Sequence, residues 1–312
     1  MAAYTEIDDA GSYFKAVAYT GTGSGAKVVT GVGFQPDNIF FKLRSGVYAW
    51  AGIDSVRGVT SILELDSNGG AATNSNYLAS FDSDGFSTTA TQDTGTNSSG
   101  TYMGFSWKAG TTSGIATNGS TTITPSAYSF NQTAGISIIK YEGNDTSGAK
   151  VAHGLGTIPQ FAIFKNLDAT ETWSVYHEKL GNTKYLVMNT TAGSVTTTNR
   201  WNDTSPDSVN FTIGNSSAVN VTGEDVIAYC FADVKGYSKF GSYTGYDTDD
   251  GPFIYTGFRP ALILIKRDSA GAWWLANSTV NPGNLDPITG VLRPNSTAAQ
   301  TADASETLDI LS

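Results

Sequence analysis

One pattern is written three times along this chain, and it constrains the fold more than any other feature. The first copy runs Tyr19-Thr20-Gly21, then Gly33-Phe34-Gln35-Pro36, then an apolar run ending at Lys42. The second runs Tyr141-Glu142-Gly143, Gly156-Thr157-Ile158-Pro159 and an apolar run to Lys165. The third runs Tyr243-Thr244-Gly245, Gly257-Phe258-Arg259-Pro260 and an apolar run to Lys266. In every copy the Gly-to-Pro step is 3 residues, the Pro-to-Lys step is 6, and a Trp follows 8 residues after the Lys: Trp50, Trp173 and Trp274. The lysines stand 123 and 101 residues apart. That is too far for a solenoid unit of about 20–50 residues and close to the size of a small domain.

Copies one and two match further. Phe86 lies 36 residues after Trp50, Phe211 lies 38 after Trp173, and each copy closes on an aromatic strand-like run, Tyr102–Ala109 and Val226–Ala232. The same count from Trp274 reaches residues 310–312, so the third copy is expected to be incomplete. The resulting plan is an N-terminal anchor segment 1–15, module one 16–109, a Gly/Ser/Thr-rich linker or long loop 110–135, module two 136–235 and an incomplete module three 236–312.

Each module reads as all-β. Thirty-five Gly, abundant Ser, Thr and Asn, and only 15% charged residues are poor helix material. The apolar runs are short, β-branched or aromatic, and bounded by turn clusters, as in Phe161–Phe164 and Leu262–Ile265. That spacing predicts tandem sandwiches or barrels. The Pro before each run fixes φ and lacks an N–H, which suits the first residue of a strand. Residues 298–310 are the best helical candidate, although their counterpart near Tyr77–Phe81 looks strand-like. No run of about 18 apolar residues is present to span a bilayer. The N-terminus lacks the basic and apolar regions of a secretory leader. A net charge of −10 argues against general nucleic-acid binding.

A search for chemistry returns turns and core positions. His153 and His177 form no metal-ligand spacing, and His153 falls in a corner where the other copies carry different residues. No Gly-x-Ser-x-Gly elbow is present. Gly31-Val32-Gly33 and Gly154-Leu155-Gly156 begin like a phosphate loop, but Pro36 and Pro159 occupy the third glycine position and no helix follows. Cys230 reads as a buried, inert thiol. Asp247, Asp249 and Asp250, like Asp82 and Asp84, have carboxylate spacing suited to calcium, against the commoner use of Asp-Gly in turns. No cofactor is expected. Trp50, Trp173 and Trp274 are expected to plug module cores. Trp201 and Trp273 lack counterparts in the other copies, so they and Tyr176 are the candidate surface contacts for a sugar or a protein.

Several stretches resemble virion structural proteins of marine bacteriophages. They are Met1–Asp9 with Tyr13-Phe14, Asp54-Ser-Val-Arg-Gly58, Ser80–Phe86, Trp107-Lys-Ala109, Trp173–His177 and Trp201-Asn202. These proteins are tail fibres, appendages and knob-like parts. The resemblance implies lectin-like or jelly-roll β-sandwiches on the particle surface, a homo-oligomer that would be a trimer, and other virion proteins as partners. It also implies a host glycan or protein as the bound target. It brings no catalytic residues. The expected role is non-enzymatic host adhesion. A capsid-decorating or cement protein is the first alternative and a polysaccharide depolymerase the second. Synthesis in the host cytoplasm without a signal peptide, and no membrane insertion, complete the expectation.

Overall fold

The computed structural model describes residues 5–90, 94–246, 251–280 and 290–301. Module one forms β1 (Phe14–Thr20), β2 (Val28–Val29), β3 (Asn38–Leu43), β4 (Ala51–Asp54), β5 (Ser61–Ile62), β6 (Ala72–Thr73), β7 (Leu78–Asp82), β8 (Gly85–Thr88) and β9 (Thr101–Trp107). Module two forms β10 (Ala127–Asn131), β11 (Ile136–Glu142), β12 (Ala149–Ala152), β13 (Phe161–Asn166), β14 (Ser174–His177), β15 (Lys184–Val187), β16 (Val195–Thr196), the single-turn helix α1 (Thr198–Trp201), β17 (Asn210–Ile213) and β18 (Asp225–Phe231). Module three adds β19 (Leu262–Ile265) and β20 (Trp274–Asn277). The protein is all-β, built from several antiparallel sheets.

The two complete modules share one topology. The main sheet runs β1-β9-β3-β4 in module one, and β11-β18-β13-β14 is the same order in module two. A second layer covers each sheet: β2-β8-β7 over the first, and β12-β17 with α1 over the second. The last strand of each module is inserted between two earlier ones, β9 between β1 and β3 and β18 between β11 and β13. It is the closing strand of the sheet.

Strand periodicity explains why β3 and β13 are buried at every residue. Successive side chains point to opposite faces. Ile39 and Phe41 face the module's own core with Tyr19, Phe86 and Tyr102, while Phe40 faces a different cluster. In β13, Ala162 and Phe164 meet Trp201 and Phe211, and Phe161 and Ile163 join that same different cluster. This second cluster is common to all three modules and also holds Trp50, Trp173, Trp273 and Leu275. The modules are therefore tandem in sequence but fused around one core in space.

Two expectations need correction. The stretch 110–135 contains β10, and its loop is docked rather than free: Thr111 bridges Phe130 and Ile123 bridges Val151. Trp274 is not the third repeat Trp. Ile265 pairs with Trp274 as Phe41 pairs with Ala51 and Phe164 with Ser174, so Trp273 is the counterpart of Trp50 and Trp173. The turn after Lys266 is one residue shorter, and the chance Trp-Trp pair hid the shift. Residues 298–301 are not helical, Thr301 bridging Val291, and 302–310 lie outside the described residues.

Candidate interaction surface

The repeated residues divide into two groups by what they hold. Lysine and tryptophan hold neighbouring modules together. The Trp50 indole N–H donates to the Arg293 carbonyl of module three at 2.9 Å. Trp173 donates to Glu64 of module one at 3.1 Å, and Trp273 to Val187 of module two at 2.8 Å. The three acceptors are equivalent, each directly following the residue that pairs with Gly52, Val175 or Leu275. The lysine amines follow the same cycle, Lys42 reaching Thr297 O at 2.9 Å, Lys165 Asn68 O at 3.3 Å and Lys266 Thr191 O at 3.5 Å. A backbone bond returns at each joint: Ala71 N to Leu167 O, Ser194 N to Asp268 O and Gln300 N to Arg44 O. Module one thus grips three, two grips one and three grips two. The cycle closes within one chain.

Burial of these amines is visible in their acidity. Desolvation pulls Lys42 and Lys165 down to about 8, opposed by Asp66 and Glu171 respectively. A fourth repeated position supports each tryptophan: Asp66, Asn189 and Asn295 accept the Trp50, Trp173 and Trp273 backbone N–H groups at 2.8, 3.1 and 2.9 Å. Sequence reading missed it because the loop lengthens from 16 residues to 22 in module three.

Tyrosine and glycine hold the approach to the closing strand. The Tyr19 hydroxyl donates to Thr96 O and the Tyr141 hydroxyl to Val219 O. A Cβ on Gly21 would collide with the Ser98 carbonyl, and one on Gly143 with Val221 backbone. Only glycine lets these two backbones pass at that distance.

Module three keeps the tyrosine and the glycine as Tyr243 and Gly245. Among the described residues it has β19, β20 and the bridges Leu275–Leu292 and Val291–Thr301, with no counterpart of β1, β2, β8 or β9. A Cβ on Gly245 would meet no described atom within 4 Å. All four β19 residues are half-buried where β3 and β13 are fully buried. Leu262 and Leu264 lean on the common core; Ile263 and Ile265 occupy the face that a second layer covers in the other modules. Among the described residues, five of the nine exposed large apolar side chains are Tyr243, Tyr246, Phe253, Ile254 and Tyr255, with Tyr246 at 66% and Phe253 at 74% exposure.

The expected site residues lie elsewhere. Tyr176, Trp201 and Trp273 are buried, not surface contacts. Tyr176 and Trp201 stack edge-on at 5.8 Å in the core of module two, and the Trp201 N–H donates to Lys184 O. Asp247, Asp249 and Asp250 lie outside the described residues. Asp84 accepts the Gly31 and Gly33 N–H groups, and Asp82 accepts the Ser80 and Ser87 hydroxyls, so these carboxylates close turns. Among the described residues no three His, Cys, Asp or Glu converge as a metal site. Cys230 is fully buried and burial pushes its thiol up to about 12. A cavity of about 280 Å³ beside β5 and β6 is lined by Glu64, Asn74 and Tyr77. Its lining holds one carboxylate, whose acidity is weakened by burial and by Asp66. No described helix is long and apolar enough to cross a membrane.

Fold and surface define a class: an all-β chain whose repeated residues lock three units around one core, with Tyr246 and Phe253 exposed on the third. The chain belongs to the family described as a domain of unknown function (DUF7483), whose model matches residues 9–312. That one match runs through all three modules. No curated protein and no solved structure matches the chain.

Proposed function

We propose that the protein is a non-enzymatic structural component of a bacteriophage particle, a tail fibre or surface appendage that presents adhesive surfaces to the host. One observation carries the reading. The residues that the chain repeats are engaged in holding modules and strands together, as the Trp50, Trp173 and Trp273 bonds illustrate. A protein selected for catalysis in several modules would repeat a reactive constellation instead. The resemblance of Asp54–Gly58, Ser80–Phe86 and Trp173–His177 to virion proteins points the same way. Modules joined through a common core make a stiff carrier, and carriers of this kind gain avidity when several copies engage one surface.

Immunogold labelling of purified particles tests the assignment. Label on the tail or on appendages supports it, label spread over the shell in hundreds of copies makes the protein a capsid decoration, and unlabelled particles refute a virion role. Incubation with host surface polysaccharide tests the non-enzymatic part, which steady release of oligosaccharide would overturn.

A further inference from the structure

We propose that Asn68 is a modification site in the joint between modules one and two, where the chain deamidates spontaneously with water as the only co-reactant. The inference stands on the fold and goes beyond the virion reading. Asn-Gly is the pair that reacts most readily, because glycine puts no side chain in the way of its own nitrogen. It occurs twice in the chain, at Asn68-Gly69 and Asn118-Gly119. The structure treats the two differently. Asn68 is exposed, lies outside any strand, and its carboxamide makes no hydrogen bond to a described residue. The Asn118 carboxamide oxygen accepts from the Ser120 N–H at 3.0 Å, the Ser120 hydroxyl at 2.8 Å and the Asn210 amide at 3.1 Å. Attack requires the carboxamide carbon to swing over the next backbone nitrogen. Asn118 must first give up these bonds, and Asn68 gives up none.

The Gly69 nitrogen bonds to Asn68 Cγ, the Cγ–Nδ2 bond breaks, and the Gly69 proton leaves with the side-chain nitrogen as ammonia, giving a succinimide. The Gly69 N–H donates to the Ser67 hydroxyl at 3.1 Å, which offers that proton a first acceptor. Water then opens the ring. Opening at Cγ gives aspartate; opening at the original backbone carbonyl gives isoaspartate, with the main chain rerouted through Cβ and Cγ. The loop's neighbours give this product a consequence. It is clamped to module two on both sides, Trp173 Nε1 donating to Ser67 O at 3.1 Å and the Ala71 N–H to Leu167 O at 2.7 Å. The backbone at Gly70 already lies against module two, where a Cβ would stand 2.5 Å from Leu167 O. Between the clamps, Lys165 Nζ donates to Asn68 O at 3.3 Å. In isoaspartate that oxygen belongs to a free carboxylate, so a lysine–carbonyl contact of the joint becomes an ion pair. Burial pulls Lys165 down to about 8, and an adjacent carboxylate moves it back up.

The test incubates the whole folded chain in warm, mildly alkaline buffer, then maps it by trypsin digestion and mass spectrometry. Trypsin places the two sites on separate peptides, Gly58–Lys108 and Ala109–Lys140, and isoaspartyl methyltransferase labelling identifies isoaspartate. The expected result is conversion of Asn68 at least tenfold faster than Asn118 in the folded chain, with similar rates at both in urea. A Gly69→Ala chain, whose Cβ would meet only the Ser67 hydroxyl at 3.4 Å, should fold with an unchanged melting curve and lose the conversion at Asn68. In the isoaspartate form, separated by its added negative charge, NMR should show the Lys165 amine titrating above about 8. Equal rates at the two sites in the folded chain would show that the fold does not select Asn68. Conversion of Asn68 in urea alone would show that the joint shields it. Either result overturns the proposal, as does undiminished conversion in Gly69→Ala. An unmoved Lys165 titration would overturn the placement of the product in the joint.

Discussion

Replacing Trp273 and Trp274 one at a time separates the spacing in the sequence from the register in the structure. Trp273 is 2% exposed and its indole N–H donates to Val187 O across the joint between modules three and two. Trp273→Phe orphans that buried carbonyl, at a cost of about 1–3 kcal/mol. The smaller ring also leaves a gap worth about 1 kcal/mol. The expected loss is therefore about 3 kcal/mol. Trp274 is only half-buried, and its ring lies 4.7 Å from the Arg293 guanidinium. A phenyl ring keeps most of that contact, so Trp274→Phe should cost less than about 1 kcal/mol. Calorimetry then reads how the modules are coupled. With an unfolding entropy of about 2.1 cal/mol/K per residue, a loss of 3 kcal/mol shifts a single transition of all 312 residues by about 5 °C. If residues 236–312 melted alone, the same loss would appear as a shift of about 15–20 °C confined to one of several transitions. The cycle of contacts predicts the first outcome. A larger effect of Trp274→Phe, or an isolated shift of the second kind, would refute the register and the shared core respectively.

Three further outcomes follow from buried groups. The Asp54 carboxylate holds the Arg57 guanidinium at 2.7 Å and accepts from the Tyr229 hydroxyl at 2.7 Å, linking modules one and two inside the core. Asp54→Ala strands a buried cation and should cost about 3–5 kcal/mol in urea unfolding, while Asp54→Leu with Arg57→Met should recover most of it; equal costs would show that the charge is not buried. Gly21→Ala and Gly143→Ala push into neighbouring backbone and should each cost about 1–3 kcal/mol, against less than about 0.5 kcal/mol for Gly245→Ala; three equal costs would show that Gly245 is as crowded as the other two. His153 donates from Nε2 to Asp207 O at 2.9 Å and accepts the Leu155 N–H at Nδ1, and burial lowers its pKa, opposed by Asp207. Its folded value lies below the unfolded value of about 6.5, so its contribution is complete above that pH and is lost as the pH falls through the folded value. His177 is displaced in the same direction, so the test is a difference: the fall in urea midpoint from pH 7 to pH 5 should be smaller in His153→Gln, and an unchanged fall would refute the role.

The repeat made the fold class and the identity of the holding residues readable, because each marker does a job that depends on residue type. Gly21 and Gly143 are needed for close passage, and lysine alone has an amine long enough to reach a neighbouring module's carbonyl from a strand end. What the markers hold was not readable. A tryptophan that fills its own module and one that bonds the next module look identical in sequence, since both need a large apolar residue in one place. Tyr176 and Trp201 were misplaced for a related reason. Lack of a counterpart in other copies signals exposure only if the modules have identical cores, and here α1 brings Trp201 into a second layer that module one builds from β7 and β8 instead. Exposed Tyr243 escaped notice because it matches the buried positions Tyr19 and Tyr141.

The cycle bears directly on the trimer that the resemblance implies. Each module has one lysine–tryptophan grip and one set of carbonyls that receives such a grip, and all three sets are engaged inside a single chain. A threefold arrangement of this kind is what three separate copies of one module would build. Here it is covalently connected, so each joint forms at the high effective concentration of a tethered partner. Further copies cannot add through the same residues without opening the common core. Any homo-oligomer of this protein must therefore use surfaces outside the cycle, where Tyr246 and Phe253 are among the exposed large apolar side chains.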